Sequence, residues 1–159
     1  MRRRIGITIM FILCLALTLV GCNKTEDTPY EPAEDEIALH IKLELKEDIG
    51  LLVVNYDANG SGGSGGTCNA DKSLLKHDDS LIYSIYEQSF EDPTQVKDLS
   101  LQFVIITEYE DPNYDNIYPE EYTVPMDAIS LDASFGKSYY ITIRGDKTNG
   151  YTATLDQKD

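Results

Sequence analysis

Tryptophan is absent from this chain, phenylalanine occurs four times and histidine only twice. Without tryptophan the chain lacks the ring best suited to stacking on sugars. The two histidines, His40 and His77, lie beside no serine or cysteine in a nucleophile motif, so the residues carry no catalytic signature and no enzyme is expected. Basic residues are scarce as well: 13 Lys and Arg face 28 Asp and Glu, a net charge of −15. That balance repels nucleic acid and anionic lipid headgroups. It favours cations, basic protein patches and cationic peptides, and it also keeps a chain soluble. Only one long apolar run exists, Ile5 to Val20, and its roughly 16 residues fall short of the roughly 20 that span a bilayer as a helix. No internal repeat and no sustained helical period is present.

What is present begins with that run. Arg2, Arg3 and Arg4 precede it, and Leu19-Val20-Gly21-Cys22 closes it. Basic, then apolar, then small is the order of an export signal and not of a folded element. The four closing residues resemble a bacterial lipobox. The resemblance implies a signal peptide over residues 1–21, cleavage before Cys22, and a diacylglyceryl group on that thiol. It further implies an extracytoplasmic protein held to the bacterial cell membrane by lipid on Cys22. A plain membrane anchor is the alternative. Loss of the three arginines would take the net charge from −15 to −18. Cys14 would leave with the signal and Cys22 would be lipidated, so Cys68 would stand alone. That arithmetic excludes an internal disulfide and a multi-cysteine zinc site, and leaves Cys68 as a small, partly buried residue.

Residues 22–36 are acidic, hold Pro29 and Pro32, and show no apolar period. They read as a disordered tether, about 20 Å long on average and roughly 45 Å at full stretch. A domain over residues 37–159 follows. Ile37, Leu39, Ile41, Leu43 and Leu45 alternate with Ala38, His40, Lys42, Glu44 and Lys46, the period of a half-buried strand. Further strands are expected at 51–56, 81–87, 99–109, 122–126, 128–131, 139–144 and 151–155, the last two joined by a loop ending in Asn149-Gly150. Ala70 to Lys76 could hold a helical turn or two. The run Gly60 to Gly66 reads as a flexible loop, since Asp71 breaks any phosphate-loop pattern before Lys72-Ser73. Seven or eight short strands predict an all-β sandwich of antiparallel strands. Residues 129–143 sharpen that expectation: a strand, a turn through Gly136, then Tyr139-Tyr140 opening the next strand. This resembles the corner of immunoglobulin-like and fibronectin type III domains. It implies that Tyr139 or Tyr140 hydrogen-bonds back across the corner.

Two stretches resemble calcium loops, which need oxygen ligands at alternate positions around a turn. Asp57, Asn59 and Ser61 match half of one. Asp111, Asn113 and Asp115 match another, with Glu120 and Glu121 nearby. Ca2+ is therefore the one cofactor to weigh, against an ion-free acidic turn. The second stretch is also aromatic, with Tyr109, Tyr114, Tyr118 and Tyr122 among six acids. Tyrosine supplies rigid contact area with a polar tip, which suits a partner surface. Arg144-Gly145-Asp146 reads as an adhesion tripeptide or as turn chemistry. The combined expectation is a membrane-anchored binding module for a cationic protein or peptide, or for a cell-wall component. A calcium-holding structural module is the second expectation, and an uncharacterised enzyme the third.

Overall fold

A computed structural model describes residues 30–108 and 120–156. The lipobox with Cys22 lies outside the described residues, as do Tyr109, Tyr114, Tyr118, Asp111, Asn113 and Asp115. Among the described residues nine strands form: β1 Glu36–Leu45, β2 Leu51–Ala58, β3 Ser61–Thr67, β4 Ser80–Tyr86, β5 Leu99–Ile106, β6 Thr123–Pro125, β7 Ile129–Leu131, β8 Lys137–Asp146 and β9 Gly150–Leu155. Three short 3-10 turns accompany them, at Glu87–Ser89, Pro93–Asp98 and Glu120–Tyr122. The fold is an all-β sandwich. One sheet runs β4-β1-β8-β9, the other β3-β2-β5-β6, with β7 following β6 along the same edge of β5.

Alternation decides which side chains meet between the sheets. Ile37, Leu39, Ile41 and Leu43 of β1 face Leu99, Leu101, Phe103 and Ile105 of β5 across one core, none more than 2% exposed. Leu52 and Val54 of β2 join them, with Ile141 and Ile143 of β8. Each such side chain contributes about 1.5–3 kcal/mol on removal from water. Leu75 adds a plug from outside the strands, bonded backbone to backbone with Ile49.

Three features depart from the expectations. β1 and β8, the central strands of their sheet, run parallel from Ile37–Lys137 to Leu45–Gly145. Hydrophobic alternation marks a face and carries no information on strand direction. The glycine-rich run is not a loop but β3, paired with β2 over its whole length. Asn59 (φ 54°) and Gly60 (φ 87°) make the tight turn between them, and the Asp57 carboxylate accepts from Gly60 N–H at 3.0 Å. Of the oxygens assigned above to half a calcium loop, that turn uses the Asp57 carboxylate, while the Ser61 hydroxyl accepts from Glu91 N–H at 2.8 Å. Glycine is required at position 62, where a Cβ would lie 2.0 Å from the Tyr56 carbonyl oxygen; on Gly63 and Gly65 it would meet the hydroxyls of Tyr56 and Tyr83, at 2.7 and 2.3 Å. The third departure is Ala70 to Lys76, which forms turns and the Leu75 bridge and no helix.

The sandwich has two distinct ends. At one, the chain enters β1 and the first two 3-10 turns connect β4 to β5. There the buried Glu36 carboxylate accepts from Ala33 N–H at 3.0 Å and from the Ser84 hydroxyl. Gly136 N–H donates to the Glu36 carbonyl at 2.7 Å. The β7–β8 turn lies here too, and across it the Tyr139 hydroxyl accepts from Ser134 N–H. The opposite end carries the β1–β2 turn, Cys68, the segment leading to β4, the ends of β5 and β6, and the β8–β9 hairpin. Cys68 is exposed there, a correction to the partly buried position expected, because it follows the last residue of an edge strand.

Candidate functional site

The outer face of the four-stranded sheet is where polar, aromatic and apolar side chains converge. Register places Ile82 of β4, His40 of β1 and Tyr140 of β8 side by side. Parallel pairing of β1 with β8 thus creates the contact between the last two. Their rings stack, centroids 4.7 Å apart and planes 18° from parallel. His40 Nε2 lies 3.2 Å from the Ser138 hydroxyl, one alternation along β8. Asp156 follows β9, tied by its N–H to the Tyr140 carbonyl at 2.8 Å. Its carboxylate accepts from the buried Thr142 hydroxyl at 2.7 Å.

These groups line a shallow cleft of about 380 Å³, walled by Leu81 and Ile82 on one side and by Tyr140 and Asp156 on the other, with Lys42 at the rim. A second hollow, about 290 Å³, opens on the other side of Tyr140 and Asp156, against Leu131, Asp132 and Leu155. Next along the face, Glu44 accepts from Lys42 Nζ and from Arg144 Nε, both at 2.6 Å. The Lys42 hydrogen bond, then that of Arg144, holds its carboxyl below the ordinary range. Those cations are committed to Glu44. An apolar wall, an aromatic pair and one carboxylate suit a ligand with a hydrophobic face and a positive group.

The other residues singled out in the sequence are not brought here. His77 lies toward the far end of β1, where its carbonyl accepts from Leu45 N–H at 2.9 Å. Strand rise puts that about 17 Å from His40. There Asp48 accepts from Lys76 Nζ at 2.8 Å, from His77 N–H at 3.0 Å, and lies 3.1 Å from His77 Nδ1. Lys76 first, then His77, lowers the Asp48 carboxyl to about 2. Tyr122 is half-buried, its carbonyl accepting from Thr107 N–H at 2.9 Å. Arg144-Gly145-Asp146 is turn chemistry. Arg144 pairs with Glu44, and buried Asp146 accepts from Lys46 Nζ, Thr148 N–H and Asn149 N–H. Gly145 has φ +130°, and a Cβ there would sit 2.2 Å from the Gly150 carbonyl. Among the described residues no three His, Cys, Asp or Glu side chains gather to hold a metal.

Sequence reasoning reached His40 as an outward-facing residue and Tyr140 as a corner candidate. It missed Ile82 and Asp156. The signal for Ile82 was available, an apolar residue on the polar parity of its strand; Asp156 carried none.

No protein-family model matches the chain, and no curated protein matches it. Among solved structures, a disulfide-locked mutant of intermedilysin with human CD59 is similar at a TM-score of 0.38 and 9% identity, over 78% of this chain and 24% of that one. This chain therefore spans about a quarter of that protein's length. The membrane-binding domain of pneumolysin is similar at 0.33 and 8% identity, over 79% of this chain and 97% of that one. An NMR structure of a protein from Eubacterium rectale is similar at 0.36 and 10% identity, over 87% and 98%.

Proposed function

We propose that this chain is a lipid-anchored, extracytoplasmic binding module that takes a basic protein segment or peptide on the outer face of its four-stranded sheet. The observation that carries the reading is the cleft beside the stacked His40–Tyr140 pair, with Ile82 on one wall and Asp156 on the other. It lies on a chain of net charge −15, whose field draws cations to it. The lipobox-like Leu19-Val20-Gly21-Cys22 supports attachment to the bacterial cell membrane, and the acidic residues 22–36 support a stand-off from it. The Ser134–Tyr139 hydrogen bond supports a kinship with immunoglobulin-like and fibronectin type III domains. The tyrosines 109, 114, 118 and 122 are proposed as a second contact; of these Tyr122 is described, its carbonyl accepting from Thr107 N–H.

A lysine-rich peptide titrated calorimetrically into the full-length chain tests this. Affinity should fall as salt rises, and Tyr140→Ala should lower it about tenfold, the scale of a lost aromatic contact. Tyr30→Ala serves as the control. A Tyr140→Ala protein that binds like wild type sinks the cleft reading.

A further inference from the structure

We infer that the ligand is an extended segment that adds to this sheet as a fifth strand, along the free edge of β4. The inference rests on the proposed cationic ligand and goes beyond the cleft, adding a contact along the β4 edge beside Ile82, which walls it. β4 ends its sheet: β1 pairs with it on one side, and among the described residues no strand pairs with it on the other. An edge strand turns alternate N–H and C=O groups outward, a template for another chain. Native sheets block such templates with charge, proline or a bulge. Ser80–Tyr86 has no charged residue and no proline, and its register with β1 runs unbroken from Ser80 to Tyr86.

Side chains single out β4 among the edges. Ile82 and Tyr86, four residues apart on its outer row, are 45% and 41% exposed. A strand laid beside β4 would cover both through cross-strand pairs and extend the row Ile82–His40–Tyr140 by one residue. β3, the edge of the other sheet, is four glycines, two serines and a threonine, and offers backbone but almost nothing to pair. β9 lies against β6 and β7. Charge completes the description of the occupant. Asp78 and Asp79 precede β4 and Glu87 follows it, so an apolar edge is bracketed by acids. The matching segment is extended, apolar at alternate positions and basic at its ends.

The probe is a capped peptide, Lys-Lys-Val-Thr-Val-Thr-Val-Lys-Lys, with its fully backbone-N-methylated analogue as comparison. The analogue keeps the charges and side chains but has no backbone donors. With the full-length chain, saturating probe should slow hydrogen exchange of alternate amides in residues 80–86 more than tenfold. The analogue should bind at least tenfold more weakly. Ile82→Lys and Tyr86→Lys, both at exposed positions, should each weaken the probe about tenfold, and Ser64→Lys on β3 should not. If the analogue binds as tightly as the probe, strand addition is wrong while a cationic ligand stands. If neither peptide binds, both readings fall. Protection that appears on β3, or on β4 at rising protein concentration without probe, assigns the edge to a different site or to a second copy and overturns the inference.

Discussion

The backbone N–H of Ser134 donates to the phenol oxygen of Tyr139 at 2.9 Å, closing the corner between β7 and β8. Tyr139 also packs against the core, whereas Tyr140 lies on the outer face. Tyr139→Phe should therefore cost about 0.5–1.5 kcal/mol, one neutral hydrogen bond. Tyr139→Ala should cost about 3–5 kcal/mol. Tyr140→Ala should cost less than Tyr139→Ala, and denaturant titration of the three variants reads the order. Equal losses at 139 and 140 would refute the corner.

The β3 glycines make a second graded prediction. A Cβ on Gly62 would meet the Tyr56 carbonyl oxygen at 2.0 Å, which is backbone and has nowhere to go. One on Gly63 meets the tip of the Tyr56 ring at 2.7 Å, which can swing aside. Gly62→Ala should cost about 2–3 kcal/mol, as local strain does. Gly63→Ala should stay within about 1 kcal/mol. Thermal melts distinguish them, and a neutral Gly62→Ala would contradict the β2–β3 register.

Stability should fall on both sides of neutrality, for opposite reasons. Asp48 has its carboxyl lowered from 3.8 to about 2 by Lys76 and His77. Asp146 is lowered too, by Lys46 first and then Asn149. A depressed folded value stabilises above the unfolded one, and the gain disappears as pH falls through 3.8 towards 2. Asp48→Asn should thus be weaker than wild type at pH 7 and match it near pH 2. Tyr151 is shifted the other way, raised above 10.0 by burial and then by its bond to Glu47. Its contribution is complete below pH 10 and is lost as pH climbs beyond it. Tyr151→Phe should flatten that alkaline limb. Urea midpoints across pH measure both, and parallel curves for wild type and variants would count against the two assignments.

Membrane attachment is testable directly. Cys22→Ala should leave an uncleaved precursor or release the protein, since acyl chains on that thiol are the proposed anchor. Fractionation of the parent cells reads the result. A processed Cys22→Ala form still in the membrane fraction would rule out that anchor.

Much of this architecture was readable before any coordinates, and the omissions have physical causes. The five apolar residues from Ile37 to Leu45 announced β1 because one face of that strand is buried throughout, while the other, buried at Glu36 and Ala38, is polar from His40 onward. β3 was invisible because glycine carries no hydrophobic signal: its place in the sheet comes from the rings of Tyr56 and Tyr83 filling the space its side chains leave. The site shared both fates. His40 stood out on the polar row of β1, but its stacking on Tyr140 depends on parallel pairing across 100 residues, which no local pattern encodes. The four tyrosines and the acids Asp111 and Asp115 were the loudest signal in the sequence, and of these only Tyr122 is among the described residues.

The parallel pairing of β1 with β8 has a mechanical consequence. A pull on the chain ahead of Glu36 enters at the end of β1 and runs along its axis. β1 is held on both flanks, to β8 from Ile37 to Leu45 and to β4 from Glu36 to Lys42. Interstrand hydrogen bonds lie across that axis, so the load falls on both ladders together and not on one bond at a time. Extraction of β1 by its leading end is therefore a shearing event that loads both ladders at once.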